Sequence, residues 1–124
     1  MRFLFLLAAL FPAVALAEPS AEEMAPRAKV SLASDSAYEM ESIKAFWGDA
    51  SFLRQCLPPH QSTPEPFVIY FEVLPSGELG ATVFEPLTNL AKCIQAHTVH
   101  RVFPKPPGTG YVTRIVMSFD KGGT

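Results

Sequence analysis

The sequence has few cysteines and no concentration of basic charge, and the second shortage excludes a class of function. Only 2 of its 124 residues are cysteine, and 10 lysines and arginines stand against 12 acidic residues. No cluster of lysine or arginine is present, which argues against a general binder of nucleic acid or of anionic membranes. Gly77 and Gly80 belong to a turn, and Gly108 and Gly110 to a proline-rich connection, so no phosphate-binding loop is present.

The sequence also lacks a recognisable catalytic arrangement. None of its serines has the surroundings of a nucleophile elbow. Glu72 and Glu85 lie on neighbouring predicted strands, where a pair of carboxylates is typical of a solvated surface. We therefore expect no catalytic residue, no cofactor and a non-enzymatic role.

Only one apolar run is long, and it stands at the amino terminus. Residues 1–17 read MRFLFLLAALFPAVALA, with Arg2 as a positive start, an apolar core and an Ala15-Leu16-Ala17 cleavage site. The alternative is a membrane anchor, but the apolar run of about 15 residues is shorter than the roughly 20 that a bilayer requires. We expect a signal peptide, cleavage after Ala17, and a periplasmic or secreted protein with no stable membrane anchor after processing.

The clearest structural pattern lies in residues 67–86, FVIYFEVLPSGELGATVFEP. Apolar residues alternate on both sides of Pro75-Ser76-Gly77, which predicts two strands joined by a turn. A third strand is predicted over Tyr111–Phe119. The intervening irregular connection is rich in proline and glycine.

Two helical regions flank this hairpin. Residues 36–56 are predicted to be helical in two pieces, with a capping box at Ser36–Glu39 and a break at Gly48. A second helix begins near Pro86, with Thr88 or Asn89 as its alternative cap, and carries Cys93. The order helix, strand, strand, helix, strand predicts an α+β fold, a three-stranded antiparallel sheet with two helices packed on one face.

The ends of the predicted mature chain show no clear period. Residues 18–35 are rich in Ala, Glu, Ser and Pro, which predicts a mobile amino-terminal segment. Residues 120–124 are predicted to fray. The folded domain is therefore expected over residues 36–119.

Cys56 and Cys93 are predicted to form one disulfide. An exported small domain with two cysteines is typically bridged, and the two cysteines lie in helices predicted to share one sheet face. The alternative is a redox-active pair. Such pairs usually have a Cys-x-x-Cys spacing beside a helix start, which this sequence lacks, so we favour a structural bridge.

A metal site is the alternative use of Cys93. Cys93, His97 and His100 lie at i, i+4 and i+7 of one predicted helix, where they can share a face and suit zinc, with His60 as a candidate fourth ligand. If Cys93 is bridged, the histidines instead flank a solvated face or interact with the helix dipole. We predict no metal. The alternative function is a small metal- or thiol-dependent enzyme centred on Cys93, His97 and His100.

Four stretches occur in a characteristic order: Leu53–Cys56, Phe71–Leu79, Leu90–Ile94 and Val102–Pro106. Together they resemble the carboxy-terminal domain of TonB-type proteins, and most of all the cysteine-containing AgmX/PglI carboxy-terminal family of myxobacterial envelope proteins. The resemblance implies a module that contacts envelope proteins. TonB energy transducers also have an uncleaved anchor and a long proline-rich spacer. The sequence indicates neither, which implies binding without energy transduction.

The last strand is the predicted partner site. A three-stranded sheet has two edges, and an exposed edge can accept a strand from another chain. Arg114, in mid-strand, could instead discourage such pairing. We expect an envelope protein as partner, by strand addition, and keep a purely structural envelope component as a further alternative. The candidate edge residues are Tyr111, Thr113, Ile115, Val116 and Met117.

Overall fold

The structure, a computed structural model, describes residues 19–57 and 63–119; the predicted signal peptide, His60 and the predicted frayed tail lie outside the described residues. The described chain forms one antiparallel sheet with strand order β2-β1-β3. The predicted α+β class and the predicted order of elements are confirmed. The elements are α1 (Ala21–Ser34), α2 (Ser36–Trp47), α3 (Ser51–Cys56), β1 (Phe67–Val73), β2 (Leu79–Glu85), α4 (Asn89–Thr98) and β3 (Tyr111–Met117).

One face of the sheet is covered by α2, α3 and α4, as predicted. Alternate residues of β1 point toward it because side chains alternate along a strand: Phe67, Ile69, Phe71 and Val73. We call this side the disulfide face. These four side chains are at most 1% exposed and pack with Phe46, Phe52 and Ile94 of the helices. Burial of a large apolar side chain contributes about 1.5–3 kcal/mol, so this face holds the main core.

The opposite face is covered by α1, and this corrects a prediction. The sequence predicts a mobile segment over residues 18–35, but Ala21–Ser34 is a helix of 14 residues. Met24 and Ala28 of this helix pack against Tyr70 and Val112 of the sheet. We call this side the α1 face. The fold is therefore a sheet between two helical layers, and the expectation of an irregular lead-in is wrong for these residues.

The start of α1 is fixed by a capping box. The hydroxyl of Ser20 accepts the Glu23 amide, and the Glu23 carboxylate accepts the Ser20 amide. These bonds satisfy two of the amides that a helix start leaves unpaired. The capping box predicted at Ser36–Glu39 is replaced by Asp35, whose carboxylate accepts the Tyr38 amide at 3.0 Å. Asp35 is thus both the last cap of α1 and the first cap of α2, so the second helix follows the first directly.

The hairpin turn is held by the chain that follows α4. Gly77 has φ +95°, and a Cβ there would lie 2.2 Å from the Phe103 carbonyl oxygen. The Phe103 amide donates to the Gly77 carbonyl oxygen at 2.8 Å, and Val102 bridges to Glu78. Only glycine accepts both the positive φ and this close approach. The predicted turn is therefore also a contact point for the later chain.

Candidate functional site

Strand β3, the predicted partner site, is an edge of the sheet. Its odd-numbered residues share a face with Phe67–Val73 of β1, since Ile69 lies opposite Ile115 and Phe71 opposite Thr113. Four of the five predicted edge side chains are consequently buried. Val116 is the exception, at 51% exposed. A partner strand would therefore meet the backbone of β3 and few of its side chains.

Two outward amides of β3 are already bonded within the chain. The Val112 amide donates to the Ser31 hydroxyl at 3.0 Å, and the Arg114 amide donates to the Glu39 carboxylate at 3.3 Å. Both acceptors are buried, and they come from α1 and α2. Because an incoming strand pairs through these same amides, the carboxyl-terminal end of β3, around Val116, is its accessible part.

Tyr111 also connects β3 to Asp35, the residue between α1 and α2. Its hydroxyl donates to the Asp35 carbonyl oxygen at 3.0 Å, and its ring packs edge-on against Tyr38 at 4.7 Å between centroids. Burial, with the nearby Glu39 and Asp35 charges, raises the pKa of Tyr111 to about 12. The phenol therefore stays protonated at neutral pH and remains a donor. The passage from α1 to α2 is thus fastened over the first half of β3.

The outer edge of β2 differs from that of β3. The Val112 and Arg114 amides point away from β1. Tyr70 of β1 lies opposite Arg114, so its own backbone groups point away from β3 and toward β2, where Tyr70 lies opposite Val83. The next residues, Thr82 and Phe84, then point outward. No described residue donates to or accepts from their backbone groups. Among the described residues, β2 thus has the longer run of outward backbone groups without a hydrogen-bond partner.

The surroundings of the β2 edge are acidic and partly apolar. Glu78 and Glu85 are exposed at its two ends, while Ala81 and Val83 are half-buried on the α1 face. The Thr82 hydroxyl accepts a hydrogen bond from Gln95 of α4 at 3.0 Å. The edge therefore offers main-chain donors and acceptors and small side chains, but no nucleophile paired with a base.

One ion pair links α1 to the sheet beside this edge. Arg27 donates to the Glu72 carboxylate at 3.0 Å, and the other carboxylate oxygen accepts the Ala81 amide. The hydrogen bond from Arg27 lowers the pKa of Glu72, and the Ala81 amide adds to this effect against the opposing burial. Glu72 is thus a structural contact, whereas the sequence indicated only a solvated carboxylate.

The predicted disulfide is present. Cys56, the last residue of α3, is bonded to Cys93 of α4, with Cα atoms 5.7 Å apart. His97 lies one turn beyond Cys93, and its ring approaches both sulfurs, with the three donor atoms within 4.8 Å of one another. His100 is not in this group and lines a separate cleft of about 260 Å³ with Glu78 and Arg101. The alternative trio of Cys93, His97 and His100 is therefore divided, and Cys56, not His100, is the third member of the group.

Several structural residues have only weak signals in the sequence. Ser31 and Glu39 bond a strand some 75 or more positions away, which no local pattern indicates. Arg101 donates to the carbonyl oxygens of Phe46 and Asp49 at the end of α2. The capping box at Ser20 was a visible signal for α1.

A surface groove of about 540 Å³ lies between α1 and the loop before β3. Arg27, the charged group in its lining, is already paired with Glu72. The groove therefore offers no convergent set of free polar groups of the kind that orients a small ligand.

No family model, curated protein or solved structure significantly matches this chain. Within the described residues, no helix combines the length and the apolar character needed to cross a membrane. The geometry of the sheet edges and of the disulfide cluster is thus the basis for a functional interpretation.

Proposed function

We propose that the protein is an exported, non-enzymatic binding module that captures an extended segment of an envelope protein by strand addition. The observation that carries this proposal is the β2 edge, where the backbone groups of Thr82 and Phe84 point outward without a partner among the described residues. Export rests on the amino-terminal pattern of residues 1–17. The resemblance to TonB carboxy-terminal domains supports the same class of function.

The proposal moves the binding edge from β3 to β2. On β3, an incoming strand would have to displace the Ser31 and Glu39 side chains from the Val112 and Arg114 amides. On β2 it has no such side-chain bonds to displace at Thr82 and Phe84 among the described residues. The difference in free energy therefore favours β2.

Main-chain bonding alone would give weak capture. The two outward residues offer four backbone groups, and each hydrogen bond contributes about 1 kcal/mol net. The sum, about 4 kcal/mol, corresponds to a dissociation constant of about 1 mM. A partner segment must therefore also bury apolar side chains beside Ala81 and Val83, which are half-buried on the α1 face. Basic residues near its ends would meet Glu78 and Glu85.

The alternative, an enzyme centred on Cys93, His97 and His100, requires a free thiol. Cys93 is bonded to Cys56, and no free cysteine is present in the described chain. His100 lies apart from the cluster. These observations favour a binding role for the oxidised protein.

The test is a matched set of proline variants of the full exported protein, used as bait for cross-linking in an envelope extract. Thr82→Pro removes an outward amide, a change that edge strands tolerate. Thr82→Val keeps that amide and removes only the hydroxyl that Gln95 contacts. Val116→Pro makes the corresponding change on β3. We expect Thr82→Pro to lose the cross-linked partner while the other two variants retain it.

Two results would contradict this assignment. Loss of the partner in Val116→Pro alone would return the site to β3. Retention in both proline variants, with unchanged circular dichroism, would exclude strand addition and favour a purely structural envelope component. Ile115→Pro is unsuitable as a probe because the Ile115 amide points toward β1, opposite Ile69, so its removal would break a hydrogen bond within the sheet.

A further inference from the structure

The disulfide has an imidazole beside it. Cys56 ends α3, Cys93 lies in α4, and His97 follows Cys93 by four residues, so both α4 side chains lie on one side of that helix. One donor atom from each residue falls within 4.8 Å of the others. Once the sulfurs are released as thiolates, two sulfurs and one imidazole nitrogen are donors that zinc prefers.

The cluster is accessible from solvent. Both cysteines are half-buried and His97 is exposed. Neither ring nitrogen of His97 makes a hydrogen bond to another described residue. The imidazole is therefore available as a ligand, and neither cysteine is fully buried.

We propose that reduction of the Cys56–Cys93 bond creates a binding site for one zinc ion, held by the two thiolates and the His97 imidazole. A dithiol reductant supplies two electrons: its two thiols become a disulfide, and Cys56 and Cys93 become thiols. Zinc then displaces the two thiol protons to solvent. The charge of the ion is balanced by the two thiolates, and the fourth coordination position is open to water or to an external ligand.

The backbone geometry suits this change. In a tetrahedral zinc site the two sulfurs lie about 3.8 Å apart and each lies about 3.6 Å from the nitrogen, given the usual metal–ligand distances. The donors already lie within 4.8 Å of one another, on Cα atoms 5.7 Å apart at the two cysteines. Because Cys56 is the last residue of α3, its side chain can move without breaking the interior of a helix.

This proposal is independent of strand addition. The cluster lies on α3 and α4, whereas the proposed partner contacts the backbone of β2. Loss of metal binding therefore leaves the proline test unchanged, and failure of the proline test leaves the metal test unchanged.

The experiment uses the full exported chain, reduced anaerobically and titrated with Co²⁺ and then Zn²⁺. Cobalt reports thiolate ligation by a charge-transfer absorption and a tetrahedral site by its visible bands. We expect one Co²⁺ per reduced chain, displacement by Zn²⁺, and no thiolate band in the oxidised protein. His97→Ala should weaken binding by at least about tenfold, because losing even a group that only supports a ligand typically costs about 10–100-fold in metal affinity.

His100→Ala is the matched control, because it removes a histidine of the same region that lies outside the cluster. Its affinity should equal that of the unchanged protein. Equal weakening in His97→Ala and His100→Ala would indicate binding to an unfolded chain and would overturn the proposal. Circular dichroism of the reduced protein records whether the fold persists, and absence of a saturable thiolate band in folded, reduced protein would also overturn it.

Discussion

Arg27 and Glu72 illustrate how single side chains fix α1 on the sheet. Their contact joins residues 45 positions apart, and the same carboxylate also accepts the Ala81 amide of β2. One glutamate therefore connects α1, β1 and β2. A carboxylate that looks surface-exposed in the strand pattern is in this way part of the fold.

The Glu72 contact predicts a pH dependence of stability. The Arg27 hydrogen bond lowers the folded-state pKa of Glu72 below the ordinary value of 4.5. The stabilisation is therefore complete above 4.5 and is lost as the pH falls through the lowered pKa. Because the side chains of Glu72 and Arg27 are 26% and 39% exposed, solvent screening limits the contribution of this ion pair to less than about 1 kcal/mol.

Urea unfolding of the protein and of Glu72→Gln would measure this effect. We expect the original protein to be the more stable at neutral pH, and the difference to shrink in strong acid, where Glu72 is protonated in both states. A difference that is independent of pH would show that packing, and not charge, accounts for the contact.

At the scale of whole elements, the central strands and the second half of the chain could be predicted from the sequence. Strong alternation marks β1 and β2, and the predicted two-piece helix corresponds to α2 and α3. Thr88 caps α4, one of the two predicted candidates. These elements carry large apolar side chains whose period is visible without tertiary information.

Helix α1 could not be identified in the same way. Its buried stripe, Met24, Ala28 and Ser31, has helical spacing but only one large apolar member. Pro26 within the helix and the Ala/Glu/Ser composition favour disorder over helix in a local analysis. Tertiary contacts with the α1 face supply the stabilisation that the sequence pattern does not display.

The importance of α1 is tested by Met24→Ala. Met24 is fully buried between the helix and the sheet, so truncation leaves a cavity and should lower the free energy of unfolding by about 2–5 kcal/mol. Leu32→Ala, on the same helix at 46% exposed, should change it by less than about 0.5 kcal/mol. Chemical denaturation measures both. Equal, small effects would mean that α1 is not an integral layer of the fold.

At the scale of the whole molecule, the disulfide joins α3 to α4 on one face of the sheet. The bridge closes a separation of 37 residues. Chain-entropy arguments assign such a loop about 4 kcal/mol, a large share of the stability of a small domain. This pairing could be predicted because the sequence contains only two cysteines. The approach of His97 to both sulfurs depends on how α3 and α4 pack, whereas sequence spacing grouped His100 as well as His97 with Cys93.

The double variant Cys56→Ala/Cys93→Ala measures the contribution of the bridge. We expect its free energy of unfolding to fall by about 4 kcal/mol relative to the oxidised protein. A reductant should lower the stability of the original protein toward that of the variant and leave the variant unchanged. A loss below about 1 kcal/mol would mean that the unfolded chain is already compact between these positions.

The bonds that α1 and α2 make to the first half of β3 have a consequence for assembly. Filaments of stacked strands lengthen only when each unit presents two free edges, one to receive and one to donate. Here Ser31 and Glu39 occupy one side of the sheet, where Val112 and Arg114 would otherwise donate. Pairing through β2 would therefore favour a one-to-one complex or a two-fold dimer over a filament, because only the end of β3 around Val116 is left to receive a second strand. The side-chain bonds over the first half of β3 thus protect the sheet against open-ended stacking.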